Sequence, residues 1–140
     1  IEFLGVTDVI FTGYVDIVEY MADLDFTVLA SISEGQPLAL IESMAAQRPV
    51  IATNVGACRE LIEGGEGDTL GLAGYCVPPM DQTGLLRAMV EMCRNVKKRE
   101  KMGRVGQARA MSYYKESQMV ANYKNVYEKA KTQWQASDLN

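Results

Sequence analysis

The sequence predicts an α/β fold, a parallel sheet with helices on both faces. Short runs rich in β-branched and aromatic residues recur at Val9–Thr12, Phe26–Ala30, Pro49–Thr53 and Tyr75–Val77. Segments with helical spacing of apolar residues lie between them. The runs are apolar throughout instead of alternating, as strands buried on both faces require.

Taken in order, Ile1–Gly5 reads as a helix end, and Val9–Thr12, closed by Gly13, as a first strand. Asp16 is placed to cap a helix with Ile17, Tyr20, Met21 and Leu24 at helical spacing. The Phe26–Ala30 strand leads through a loop, Ser31–Glu34, to Pro37, which suits a first helical turn. That helix carries Leu38, Leu40, Ile41, Met44 and Ala45 to about residue 46. Pro49–Thr53 is the next strand, followed by Asn54–Gly56 and a short helix, Ala57–Ile62. Gly64–Gly74 is a glycine-rich loop before Tyr75–Val77, which Pro78 and Pro79 stop. Asp81 is placed to cap a helix whose apolar side is Leu85, Leu86, Met89, Val90 and Cys93. A basic helix over Lys98–Met111 precedes a last helix, Ser117–Trp134, with Met119, Val120, Tyr123, Val126, Tyr127, Ala130 and Trp134 on one stripe. Residues 136–140 read as a frayed end.

The 140 residues, 48% hydrophobic and 23% charged, amount to about one domain and exclude a disordered tail or a rod. There is no histidine, so a Ser-His-Asp triad, a histidine base and a histidine-containing zinc site cannot come from this chain alone. Cys58, Cys76 and Cys93 are odd in number and widely spaced. They read as reduced thiols, which points to the cytoplasm. No apolar run is long enough for a membrane span. The net charge of -4 conceals an asymmetry: residues 1–90 hold three Arg and thirteen acids, residues 91–140 eleven Lys and Arg against five acids. The basic positions follow helical patterns mixed with acids, which reads as a solvated face, and the pI near 4.9 argues against nucleic acid. The chain starts at Ile1 without an initiator Met and reads as a piece of a longer protein.

In parallel sheets ligands sit beyond the carboxyl ends of the strands. The Gly13–Asp16, Ser31–Leu38 and Thr53–Ala57 loops are therefore expected to converge. Glu34 lies in the second of them, and Glu42 about one turn into the helix that follows. The amides of Gly35, Gln36 and Leu38 lie near that helix's positive end, while Pro37 has none. Carboxylates accept from hydroxyls and amides donate to anionic oxygens, a combination suited to a polyhydroxylated, phosphorylated ligand. Read only as residues, the two acids fit equally well as a loop acid and a helix acid favoured by the dipole.

Glu34, seven residues and then Glu42, within "SEGQPLALIESMA" and followed by "PVIATNVGACRELI", resembles the signature of retaining glycosyltransferases of family 4, glycosyl transferases group 1. The resemblance covers roughly residues 9–77. Its "GQPL" and "GACRELI" variants are most similar to the branch serving Pel-type exopolysaccharide synthesis, which implies UDP-glucose as donor. The resemblance implies a Rossmann-like, C-terminal donor-binding domain of the two-domain GT-B architecture, with the chain a partial domain over residues 1–140. The N-terminal acceptor domain and the upstream strands, with the family's diphosphate-clamping Arg and Lys, would lie outside it. It implies sugar contacts for Glu34, taken as catalytic, sugar and diphosphate contacts for Gly35, Gln36, Pro37 and Leu38, and ribose contacts for Glu42. The base would lie along Tyr14, Val15 and Asp16. The implied chemistry retains configuration, needs no metal, and moves a hexose to a polysaccharide or other acceptor. The isolated chain is not expected to turn over.

Gln47 stands where the family usually has glycine; a left-handed residue there would cost on the order of 1 kcal/mol. Asp23-Leu24-Asp25 matches a metal-binding DxD motif but precedes its strand instead of following it. Gly65-Glu66-Gly67 with Gly71 mimics a dinucleotide loop but follows a helix and carries acids that repel phosphate. Arg59 and Glu60 read as a surface pair, and Cys58 as inert. Two rival functions stand beside this: a nucleotide-sugar epimerase of the same architecture, and a non-catalytic nucleotide or protein-interaction module. The Tyr123, Tyr127 and Trp134 stripe is expected to fold onto the chain or to be buried in a homodimer.

Overall fold

A computed structural model describes the backbone of residues 5–137 and the side chains of residues 5–134. Three parallel strands, β1 (Thr27–Leu29), β2 (Val50–Thr53) and β3 (Gly74–Val77), form a sheet in the order β1-β2-β3. Thr27 pairs with Val50, and Val50 with Gly74, so the carboxyl ends are level. Six helices surround it among the described residues: α1 (Ile17–Met21), α2 (Leu38–Ala45), α3 (Cys58–Glu63), α4 (Gln82–Arg94), α5 (Val96–Tyr113) and α6 (Glu116–Ser137). Among the described residues, no helix is long and apolar enough to cross a membrane.

Every residue of β2 is buried, as a central strand covered on both faces demands. Val50 and Ala52 join Leu40, Met44, Cys58, Leu61, Ile62 and Ala110 from α2, α3 and α5. Ile51, on the opposite face, joins Ala88, Met92 and Met102 from α4 and α5. The predicted parallel α/β sandwich is therefore present, but the second face thins out toward β1, where Val28 is 39% exposed.

Several expectations need correcting. The Val9–Thr12 run forms no strand, and Ile10 and Phe11 are largely exposed. An apolar run becomes a strand only where a neighbouring strand accepts its hydrogen bonds, and no described strand lies alongside it. The predicted helix end at the start falls on residues 1–4, outside the described residues, with Gly5 in a turn. Pro37 is not inside the first helical turn but is the N-cap of α2. On α4, Asp81 caps as expected, its Oδ1 accepting from the Gly84 amide at 2.8 Å. The buried stripe, however, is Ala88 and Met92 with Leu85 half-buried, while Leu86, Met89, Val90 and Cys93 face outward. Close approach to the sheet selects the small Ala88 over its bulkier neighbours.

The basic helix is not wholly a solvated face. Arg109 on α5 is fully buried, and its Nε donates to Asp68 Oδ2 at 2.6 Å and its Nη2 to Oδ1 at 3.2 Å. The remaining donors go to the carbonyls of Ile62 at 2.7 Å, Leu61 at 3.2 Å and Gly71. One guanidinium thus ties the 64–73 loop to α3 and α5, and it holds the Asp68 carboxyl below the usual carboxylate range. The loop that mimics a dinucleotide motif is a structural strap.

α2 ends in a Schellman arrangement: the Arg48 amide donates to Ser43 O at 2.8 Å and the Gln47 amide to Met44 O at 2.9 Å. Gln47 adopts φ 61°, the left-handed geometry anticipated from its place in the motif. Gln47→Gly should raise stability by about 1 kcal/mol, read as a higher urea midpoint at unchanged m. An equal or lower midpoint would show that the side chain compensates for the strain. Gly103 of α5 packs directly on the Gln47 carbonyl and Gly106 on the Met44 side chain, which lets α5 press against α2.

Candidate functional site

At the carboxyl ends of β1 and β2 the two following loops are bound to each other. Thr53, buried at the end of β2, donates its hydroxyl to the Ser31 carbonyl. The Ala57 amide donates to Gly35 O at 2.8 Å. Between these contacts Gly56 adopts φ 50°, and a Cβ there would overlap the carbonyl oxygens of Glu34 and Gly35. Only glycine allows so close an approach in that conformation. The Glu34 loop is therefore carried by the central strand as well as by its own.

Within the loop, Ser31 Oγ donates to Glu34 Oε1 at 2.7 Å, and Glu34 is half-buried. Pro37 is buried, while Gly35, Gln36 and Leu38 are exposed. Pro37 makes no side-chain cap, so α2 begins without a side-chain acceptor for its first amides. Those donors suit anionic oxygens, and the Glu34 carboxylate beside them suits hydroxyls.

Glu42 is exposed on α2 and stands between two grooves. On one side, an apolar pocket of about 460 Å³ separates it from Ile17, Val18 and Met21 of α1. On the other, a larger groove of about 720 Å³ runs past Gln36 and Leu38 to Tyr113, Tyr114, Met119 and Tyr123. The Tyr14–Asp16 loop lies just before α1. Tyr14 is fully exposed, Val15 is half-buried, and Asp16 is used as the α1 cap, accepting from the Val18 amide at 3.0 Å. The first turn of α1 is the part that faces Glu42. Two cations line these grooves: Arg48, whose guanidinium donates to the Met21 and Ala22 carbonyls at 3.1 and 2.7 Å, and Lys115. Lys115 and the tyrosines come from the distant α5–α6 corner, and no local motif marked them.

The stripe on α6 is not folded away. Met119, Tyr123 and Val126 border the larger groove, yet Val120, Tyr123, Val126 and Tyr127 remain 41–70% exposed. The remaining decoys have other partners. Asp25 accepts from Arg99 Nη2 at 2.7 Å, and no cluster of three acids or thiols able to hold a metal ion occurs among the described residues. Arg59 and Glu60 are exposed on α3, with Arg59 beside Cys76. Burial pushes the thiols of Cys58 and Cys76 up, away from the reactive thiolate form.

The glycosyl transferases group 1 family model matches residues 2–95. The chain belongs to that family. Among its relatives is N-acetyl-alpha-D-glucosaminyl L-malate synthase of Bacillus anthracis, 29% identical over 120 residues, which are 85% of this chain and 30% of that protein. Phosphatidyl-myo-inositol mannosyltransferase of Mycobacterium leprae is 34% identical over 99 residues, 71% of this chain and 25% of the relative. The fold resembles that of sucrose-phosphate synthase from Thermosynechococcus elongatus, with a TM-score of 0.77 and 24% identity over 89% of this chain and 30% of that one. The chain is thus a Rossmann-like, GT-B type glycosyl transferases group 1 domain, and it spans 25–30% of the length of these proteins.

Proposed function

We propose that this glycosyl transferases group 1 chain is the donor-binding part of a glycosyltransferase that moves a hexose from a nucleotide sugar, with UDP-glucose the first choice, to a growing polysaccharide or other acceptor with retention. The observation that carries the reading is the joining of the Glu34 loop, the start of α2 and the Gly56 turn at the carboxyl edge of the sheet. In this reading Glu34 contacts the sugar hydroxyls, and the Gly35–Leu38 segment faces the sugar and the diphosphate. Glu42 holds the ribose, and the base lies toward the first turn of α1. Departure of the diphosphate needs positive partners; no cation is hydrogen-bonded at the Glu34 loop among the described residues, and in this reading the clamping cations and the acceptor site are supplied from outside this chain. The isolated chain should not turn over, and no metal is needed. The similarity of "GQPL" and "GACRELI" to the Pel-type branch favours exopolysaccharide synthesis.

Two variants of the complete enzyme test this. With UDP-glucose as donor, Glu34→Gln should lower kcat by about a hundredfold, the scale of losing a group that meets the reacting sugar. Glu42→Ala should raise the donor KM about tenfold with a smaller change in kcat. Both should keep the wild-type unfolding midpoint. Unchanged donor kinetics in both would overturn the assignment. Calorimetric titration with UDP, GDP and ADP identifies the base, and binding of none of them would favour an interaction module. An epimerase would consume the nucleotide sugar without any acceptor.

A further inference from the structure

We propose that Ser31 is a positioning residue that holds the Glu34 carboxylate in its working orientation, and that Thr53 holds Ser31 in turn. The inference rests on the reading of Glu34 as the sugar-contacting group. A glutamate on a loop has several side-chain torsions free, and a group that must meet particular hydroxyls loses effectiveness when those torsions wander. Here they are restrained. Ser31 Oγ donates to Oε1 at 2.7 Å, which uses one of the carboxylate's acceptor sites and leaves the others for a ligand.

The serine is itself fixed. Its carbonyl accepts from the buried Thr53 hydroxyl, and Thr53 ends the central strand in register with Val77. One residue further on, the Asn54 amide donates to Val77 O at 2.7 Å. A hydrogen-bonded path therefore runs from the middle of the sheet through Thr53 and Ser31 to the carboxylate. On the far side of Glu34, the bond from Ala57 N to Gly35 O holds the backbone. Supporting contacts of this kind separate a preorganised site from one that is merely present.

The test uses the complete enzyme, with UDP-, GDP- and ADP-glucose tried as donors and the best one kept. Ser31→Ala should lower kcat about tenfold, the scale of one hydrogen bond to a charged group. Ser31→Thr, which keeps the hydroxyl, should restore kcat to within about threefold of wild type. Inhibition by the matching nucleoside diphosphate should not change, because it does not engage the sugar-facing group. Ser31→Ala combined with Glu34→Gln should be no slower than Glu34→Gln alone.

Additive losses, wild-type kcat in Ser31→Ala, or weaker diphosphate inhibition in parallel with kcat would overturn the positioning role and leave Glu34 in place. Wild-type kcat in Glu34→Gln, or no turnover with any of the donors, would overturn the underlying reading. Should Ser31→Ala fold poorly, Ser31→Cys, which keeps the size and weakens the donor, gives the same comparison.

Discussion

Arg109→Met should destabilise the protein by about 3 kcal/mol, the lower end for removing one member of a buried ion pair. The Arg109 and Asp68 side chains are 1% and 4% exposed, and methionine fills the volume without offering a donor. Asp68 would keep its charge with no cation, and the carbonyls of Leu61, Ile62 and Gly71 would lose their shared partner. The same pair sets an acid limit. Arg109 lowers the folded-state pKa of Asp68, so the stabilisation is complete above the unfolded value of about 3.9 and is lost as pH falls through the lower folded value. Urea titrations at pH 7 should show the full difference between wild type and variant, and at pH 3 a smaller one. A pH 7 shift below about 1 kcal/mol would mean that the strap contributes little to the fold.

Gly56→Ala should harm both stability and activity. The residue is left-handed, and its new Cβ would overlap the carbonyl oxygens of Glu34 and Gly35. Left-handed strain and overlap together suggest a loss of about 2 kcal/mol in the urea midpoint. The loop would relieve the overlap by moving away from the α3 start, breaking the bond from Ala57 N to Gly35 O. A shift of about 1 Å in a substrate-positioning segment can cost on the order of a hundredfold in rate, so kcat/KM in the complete enzyme should fall on that scale. Gly35→Ala is the control for stability: its Cβ meets open space, and its effect should stay within about 0.5 kcal/mol. Equal stability losses at the two glycines would refute the argument.

Local chemistry explains which features were legible. The apolar runs of β1, β2 and β3 and the Asp16 and Asp81 caps depend on residues a few positions apart, and the sequence displays them, whereas the strain at Gln47 was signalled by the family resemblance. The Glu34-to-Glu42 segment stood out through its resemblance to a family signature; read only as residues, its two acids fitted a structural role equally well. What escaped depends on distant partners. Arg109 looks like any other cation on a basic helix until α3 and the 64–73 loop surround it. Val9–Thr12 has strand composition without a described strand beside it. On α4, hydrophobicity ranks Leu86 and Met89 above Ala88, whereas contact with a sheet is decided by fit. Tyr113, Tyr114 and Lys115 reach the edge of the site through a helical corner some seventy residues after Glu42.

The notch formed by Gly103 and Gly106 has a consequence for ligand binding. α2 is gripped at its C-terminal end by α5 through that notch. At its other end, the loop leading into it is tied to the central strand and the α3 start. A helix held at both ends has little freedom to slide or tilt, so the backbone separation of Glu34 and Glu42 is already set before a ligand arrives. Binding at such a rigid platform loses little entropy to ordering the protein. If the two carboxylates meet hydroxyl groups as proposed, they act as a fixed ruler, and a ligand with its hydroxyls at another spacing would have to distort itself.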